Sequence, residues 1–351
     1  METRTRRILI GVSTIVLVII MIIFVDYKTI LENLYKISLI GILLFALTYT
    51  TAFVFRTYKL KLIFQGINLD PSFLTLYASI GAGWAINELT PVKIGDLAKI
   101  EFIHERDANI HLSKSICAVA IERFIDLIIL FSISCLALLY LYFNQIIGTT
   151  QLNLQFFLGI GALILISALV GLLFLFFKTD WVLNLIGKIS KKLSSLLENV
   201  LKNLIEGMSD FGKNKKKLIW VFVLNIPTWF FEALTLVIFF YLAEFEINIF
   251  IIILAQMVAF FTKTIPITPG GWGVSEIVGA ILISLLYPTI PYLGILSIFI
   301  LDHLIRMAYV FIYGGIATIS FNFKFKEINL QYLEEEEKKF EDELQEKKPN
   351  N

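Results

Sequence analysis

Charge is scarce in this sequence, at 17% of residues, and so are cysteine and histidine, with two and three copies among 351 residues. The net charge of +1 excludes a nucleic-acid partner, because phosphate binding needs a surplus of lysine and arginine gathered on one face. Cys117 and Cys135 stand 18 positions apart in one apolar run, roughly 27 Å along a helix, which no disulfide spans. Each reads as a small buried hydrophobe. Catalytic signatures are missing too: there is no H-E-x-x-H, no G-x-S-x-G, no G-x-x-x-x-G-K-[ST] and no dinucleotide loop. The expectation is therefore no enzyme activity, no metal and no cofactor. With no soluble domain to hold ATP, any transport runs downhill, is ion-coupled or is driven by a partner.

What the sequence does hold is apolar. A hydrophobic fraction of 57% and a mean hydropathy of +0.79 exceed what a soluble core of this size hides. Runs at 8–25, 37–55, 116–143, 154–177, 218–241 and 292–319 reach or approach the roughly 20 residues that about 30 Å of hydrocarbon demands of a helix. The first follows Arg4, Arg6 and Arg7 but precedes no small-x-small cleavage site, so it reads as a retained span.

Basic loops stay on the cytoplasmic side during insertion. The clusters Arg4 to Arg7, Arg56 with Lys59 and Lys61, Lys99 with Arg106 and Lys114, the lysine-rich stretch 178–217, and Lys324 with Lys326 thus place both termini in the cytoplasm and the protein in the cell membrane. The parity of that assignment leaves two interrupted segments that begin and end on one side. One, 72–103, breaks through Asn87, Glu88 and Pro91 and returns through Gly95, Asp96 and Lys99; the other, 247–286, breaks at Pro269, Gly270, Gly271 and Gly273. Broken backbone at that depth persists only where protein or a water-filled cavity satisfies it.

The expected fold is an all-α polytopic membrane bundle of about six full spans plus two re-entrant or broken helical hairpins. Residues 1–320 form one transmembrane domain with a cytoplasmic basic amphipathic loop at 179–217, and 321–351 form a charged cytoplasmic tail. The two breaks share T-P-x-x-x-G, at Thr90 to Gly95 and Thr268 to Gly273, followed by Asp96 and Glu276 respectively. Each precedes a span with internal charge, which suggests an inverted repeat with a site between broken helices.

Ionised groups inside hydrocarbon persist when they pair or line a polar cavity. Glu122, Arg123 and Asp126 sit in one span, Asp302 and Arg306 in another, and Glu232 with His303 are further candidates. Arg123 is expected to meet Asp126 while Glu122 lies on the neighbouring face, leaving one carboxylate in need of a proton or a partner. Asp302 and Arg306 are expected to pair. Arginine stays charged when buried and makes bidentate bonds to phosphate, so Arg123 and Arg306 suit an anionic headgroup, with Glu122, Asp126, Glu276 and Asp302 tuning the charge.

Pro91 with Gly95 and Asp96, the Glu122, Arg123 and Asp126 group, Pro269 to Gly273 with Glu276, and Arg306 before Gly314 and Gly315 together resemble the flippase-like transmembrane domain of bacterial lysylphosphatidylglycerol synthases and its stand-alone archaeal and bacterial relatives. The resemblance covers residues 4–320. It implies translocation of a membrane lipid between leaflets, with an aminoacylated phospholipid or a polyprenyl-linked sugar as cargo. The synthases carry a large soluble aminoacyl-transferase domain after the membrane part, and only a short charged stretch follows Ser320 here, so synthase activity is not expected. An ion-coupled transporter of a small polar solute, and a scaffold docking a separate lipid-modifying or glycosyl transferase through 178–217, remain the alternatives.

Overall fold

The computed structural model describes residues 27–90, 94–107, 110–144, 205–263 and 268–324, together with Trp181 and Glu198. The expected spans at 8–25 and 154–177, most of the basic loop, Pro91 and the tail beyond Lys324 lie outside them. Among the described residues the regular structure is entirely helical. In chain order the helices are α1 (Tyr27–Lys36), α2 (Leu39–Gly66), α3 (Phe73–Leu89), α4 (Ile94–Arg106), α5 (Leu112–Phe143), α6 (Lys215–Leu242), α7 (Ile249–Thr262), α8 (Val274–Leu286) and α9 (Tyr292–Ser320), with a single 3-10 turn at Pro269–Gly271. A helical stretch at 205–213 precedes α6.

Four helices match spans read from the sequence: α2, α5, α6 and α9, of 28, 32, 28 and 29 residues. At 1.5 Å per residue each exceeds 40 Å, more than the roughly 30 Å of hydrocarbon requires. The surplus length of α2 corrects one expectation. Arg56 and Lys59, assigned to a water-facing cytoplasmic stretch, lie within α2 and are 1% and 0% exposed. The helix continues past the apolar run, and because the two residues are three positions apart both side chains share its inward face. Lys61 alone of that group reaches the surface, where it meets Asp70 at 3.3 Å.

Both interrupted segments are broken, the first later than expected: α3 runs to Leu89, so Asn87 and Glu88, expected in the break, lie in its last turn. α3 and α4 lie side by side, with the break closed by Asn87, whose Oδ1 accepts the Gly95 amide at 2.8 Å. A Cβ on Gly95 would lie 1.8 Å from the Gly83 carbonyl oxygen, so this approach of two helices requires glycine. In the second segment, Gly270, Gly271 and Gly273 take φ of 59°, 81° and 80°, a region closed to most L side chains. The 18 residues Pro269–Leu286 are nevertheless long and apolar enough to cross a membrane, so this limb has the reach of a full span and not only of a hairpin's return.

α2 packs along α6, α9 along α3, and α7 between α5 and α8. Phe45, Tyr49 and Phe53 of α2 interlock with Phe239 of α6 and Tyr309 and Tyr313 of α9 through stacked and edge-on ring contacts. This aromatic wall sits beside the charged interior and holds α2, α6 and α9 at fixed spacing around it.

Candidate functional site

Helical spacing brings the charges together. Arg56 and Lys59 project from α2, Asp96 and Lys99 from α4, Glu122, Arg123 and Asp126 from α5, Glu232 from α6, and Asp302 and Arg306 from α9. Arg123 makes the bidentate contact that arginine favours, but with Asp96: Nε and Nη2 donate at 2.9 and 2.5 Å. Its distance to Asp126 is 3.8 Å, so the expected i,i+3 pair is the weaker one. Glu122 accepts from Lys99 Nζ at 2.6 Å and lies 3.7 Å from Lys59. Asp126 accepts from Lys59 Nζ and from Trp229 Nε1 at 3.3 Å.

The carboxylate expected to lack a partner on α5, Glu122, therefore has one in Lys99 of α4, with Lys59 of α2 beside it, while Arg56 of α2 lies 3.7 Å from Asp126. Glu232 is the junction. Its carboxylate accepts from Arg56 Nη2 at 2.5 Å and from Arg306 Nη1 at 3.1 Å, and Arg306 also donates to the Glu232 carbonyl at 2.6 Å and to Thr235. The expected Asp302–Arg306 pair forms at 2.7 Å. Arg56 lies over the Trp84 and Trp229 rings at 4.8 and 5.0 Å, and Arg306 over Tyr49 and Phe260 at 4.9 and 5.2 Å, contacts that suit weakly hydrated guanidinium. In this network Arg56, Lys59, Lys99, Arg123 and Arg306 are matched by Asp96, Glu122, Asp126, Glu232 and Asp302, so formal charge cancels as burial demands.

A second cluster joins the two breaks. His303 Nδ1 faces Glu276, and Nε2 lies 3.1 Å from Glu88 and 3.5 Å from Lys263 Nζ. Glu276 also accepts from the Gly273 amide at 2.6 Å and Ser275 Oγ at 2.7 Å, fixing the first turn of α8. The Trp272 ring stacks on the imidazole with centroids 4.0 Å apart. Glu88, from the first break, lies against Gly270 of the second, where a Cβ would come within 2.3 Å of its carboxylate.

Between the two clusters opens a cavity of about 300 Å³, lined by Asn87, Glu88, Asp96, Arg123, Asp126, Lys263, Gly270, Gly271 and Arg306, with Tyr49, Trp84, Trp229 and Phe260 among its apolar walls. Both arginines and both breaks thus reach one space. Glu122 and Lys99 are buried and paired with each other beside Lys59, and Glu276 and Asp302 face a small pocket next to His303 and Lys263. Pro269, Gly95 and Gly273 serve through backbone geometry. Among the described residues, no group of three or more His, Cys, Asp or Glu is placed to hold a metal ion.

Sequence reasoning missed Arg56, Lys59 and Lys263, and placed too little weight on Glu232 and His303. The signal for the first two was their spacing of three at the end of an apolar helix. Lys263, directly after the apolar residues 249–262 and before Pro266, had the position of a helix-end cation inside the membrane.

Residues 8–314 match the family described as "Lysylphosphatidylglycerol synthase TM region". The chain is 27% identical over 231 residues to a UPF0104 membrane protein of Methanocaldococcus jannaschii, covering 66% of this chain and 92% of that one. It is 24% identical over 329 residues to a UPF0104 membrane protein of Pyrococcus horikoshii, covering 89% of this chain and 95% of that one. No solved structure matches.

Proposed function

We propose, from the premise that the chain belongs to the family of the lysylphosphatidylglycerol synthase transmembrane region, that this multi-pass membrane protein carries a lipid between leaflets by taking its anionic headgroup into the cavity. The observation that supports this reading is convergence: Arg123, Arg306, Lys263 and both backbone breaks line one space of about 300 Å³. That volume is at the lower end of ligand sites, enough for a phosphate-bearing headgroup while its acyl chains stay in the bilayer.

The contacts divide the work among the cations. Arg306 donates to Asp302, to both the carboxylate and the carbonyl of Glu232, and to Thr235, so it holds the cavity's shape. Arg123 uses Nε and Nη2 on Asp96, and among the described residues its Nη1 makes no hydrogen bond, lying 3.8 Å from Asp126. Among the described residues, Lys263 meets no carboxylate within ion-pair distance and faces the His303 imidazole at 3.5 Å. Arg123 and Lys263 are the cations that meet a phosphodiester, Arg123 through a planar pair of donors and Lys263 as a point charge. The walls of Trp84, Trp229 and Phe260 accommodate the glycerol and upper methylene groups.

The test is reconstitution in vesicles whose lipids carry a fluorescent, chemically bleachable headgroup label. Protein-containing vesicles lose inner-leaflet fluorescence faster than empty ones, and Arg123→Gln together with Lys263→Gln slows that loss at least tenfold. Equal rates with and without protein would end the lipid reading. Uptake of a small anionic solute in the same vesicles would replace it with the solute transporter.

A further inference from the structure

Among the described residues, two clusters of interior charge differ in balance. In the large network five guanidinium or ammonium groups, Arg56, Lys59, Lys99, Arg123 and Arg306, face the five carboxylates of Asp96, Glu122, Asp126, Glu232 and Asp302. No proton is needed to close that account. In the small cluster Glu88 and Glu276 face Lys263 and one imidazole, which among the described residues leaves one negative charge uncompensated unless His303 is protonated. An unbalanced charge is what a low-dielectric interior penalises most.

The hydrogen-bond geometry agrees with the charge count. Both ring nitrogens of His303 face carboxylates, Nδ1 toward Glu276 and Nε2 toward Glu88 at 3.1 Å. A neutral imidazole has one donor and one acceptor, so only imidazolium donates to both. Lys263 stands 3.5 Å from the same Nε2. When the ring is neutral, that nitrogen accepts from the ammonium instead, and Glu88 loses its donor.

The geometry points to a proton-binding site at His303, shared with Glu88 and Glu276 and coupled through Lys263 to an anionic phosphate headgroup in the cavity. This inference rests on the lipid-carrying reading and adds its coupling ion. A headgroup that draws Lys263 toward itself removes the positive charge compensating Glu88, so the proton on His303 becomes necessary; by linkage the proton favours the anion by the same factor. Anion and proton therefore enter together.

The proton also joins separate helices. Glu88 ends α3, Glu276 opens α8 and Lys263 follows α7, so His303 on α9 ties both breaks together and releases Glu88 when it loses the proton. The other buried charges on α9 and the helices packed against it are Asp302 and Arg306 on α9 itself and Glu232 on α6, and these bond one another, whereas Lys28, Glu32 and Lys36 of α1 are exposed. They leave the balance around the imidazole to Glu88, Glu276 and Lys263.

Trp272, stacked on the ring at 4.0 Å, supplies a reporter, because a stacked imidazolium quenches indole emission more than a neutral imidazole does. The full-length protein is titrated by tryptophan fluorescence in nanodiscs of phosphatidylcholine alone or with phosphatidylglycerol, beside His303→Gln, Trp272→Phe and Lys263→Gln. The wild type shows a one-proton step that His303→Gln and Trp272→Phe both lack. Phosphatidylglycerol raises its midpoint by about one pH unit more in the wild type than in Lys263→Gln, a roughly tenfold coupling; the residual shift in Lys263→Gln measures surface potential alone. A titration curve that His303→Gln leaves unchanged overturns the proton site. Equal midpoint shifts with and without Lys263 overturn the coupling. Lipid crossing that ignores an imposed pH gradient while the step persists also overturns the coupling, whereas no crossing at all removes the lipid reading and leaves the titration to decide the proton site.

Discussion

Glu232→Gln is the substitution that stresses the buried network most. The Glu232 side chain is fully buried and serves two guanidiniums at once, Arg56 at 2.5 Å and Arg306 at 3.1 Å. Glutamine keeps one acceptor oxygen for one arginine, but its amide nitrogen then faces the donors of the other, and the network is left with a surplus positive charge. Removing one partner of a buried ion pair costs about 3–5 kcal/mol, and the Asp302 and Thr235 contacts that remain on Arg306 argue for the lower end. The assay is reversible unfolding in mixed micelles, wild type against Glu232→Gln, Arg56→Met and the double variant. Restoring neutrality in the double variant is expected to give a coupling energy of at least about 1 kcal/mol. A destabilisation by Glu232→Gln below about 1 kcal/mol, the range of exposed ion pairs, would refute the reasoning, because it would mean that water already screens both guanidiniums.

Other substitutions test separate parts. Lys61→Met removes the solvent-facing pair with Asp70, whose side chains are 26% and 64% accessible, and unfolding should not shift measurably, because water screens such pairs. Asn87→Ala deletes the acceptor of the Gly95 amide and is expected to destabilise by about 1 kcal/mol in the same assay, the scale of a lost helix cap. Gly270→Ala places a Cβ 2.3 Å from the Glu88 carboxylate at φ 59°; a loss of about 1–3 kcal/mol in unfolding is expected, with slowed lipid crossing. Arg123→Lys keeps the charge but not the bidentate contact with Asp96, so crossing rates should fall although folding yield does not.

The long spans were legible because apolar length is a one-dimensional property, and α2, α5, α6 and α9 fall where the runs of hydrophobic residues lie. The breaks were legible for a similar reason, since Pro269 and the glycines after it interrupt an apolar segment locally. Partner choice was not. Asp96 pairs with Arg123, 27 positions away, and Glu232 with Arg56, 176 positions away, and local spacing favours the i,i+3 and i,i+4 neighbours instead. Asp302 with Arg306 succeeded because there the local partner is the real one. The sharpest miss has a physical cause: a basic pair at the end of an apolar run looks like a water-facing anchor, and only the length of α2 and the acids on α5 and α6 show that Arg56 and Lys59 are inside.

If Arg123, Arg306 and Lys263 open onto one aqueous cavity within a lipid-embedded bundle, water reaches the side chains that line it. Reactivity of single cysteines toward a membrane-impermeant charged maleimide measures it, in a background without Cys117 and Cys135, since only an aqueous thiolate reacts. Leu127, a cavity-lining residue, is compared as Leu127→Cys with Leu136→Cys, at a position 65% exposed on the outer surface of the same helix. Labelling is expected at 127 and none at 136; an unreactive thiol at 127 would mean that no water-filled cavity exists there.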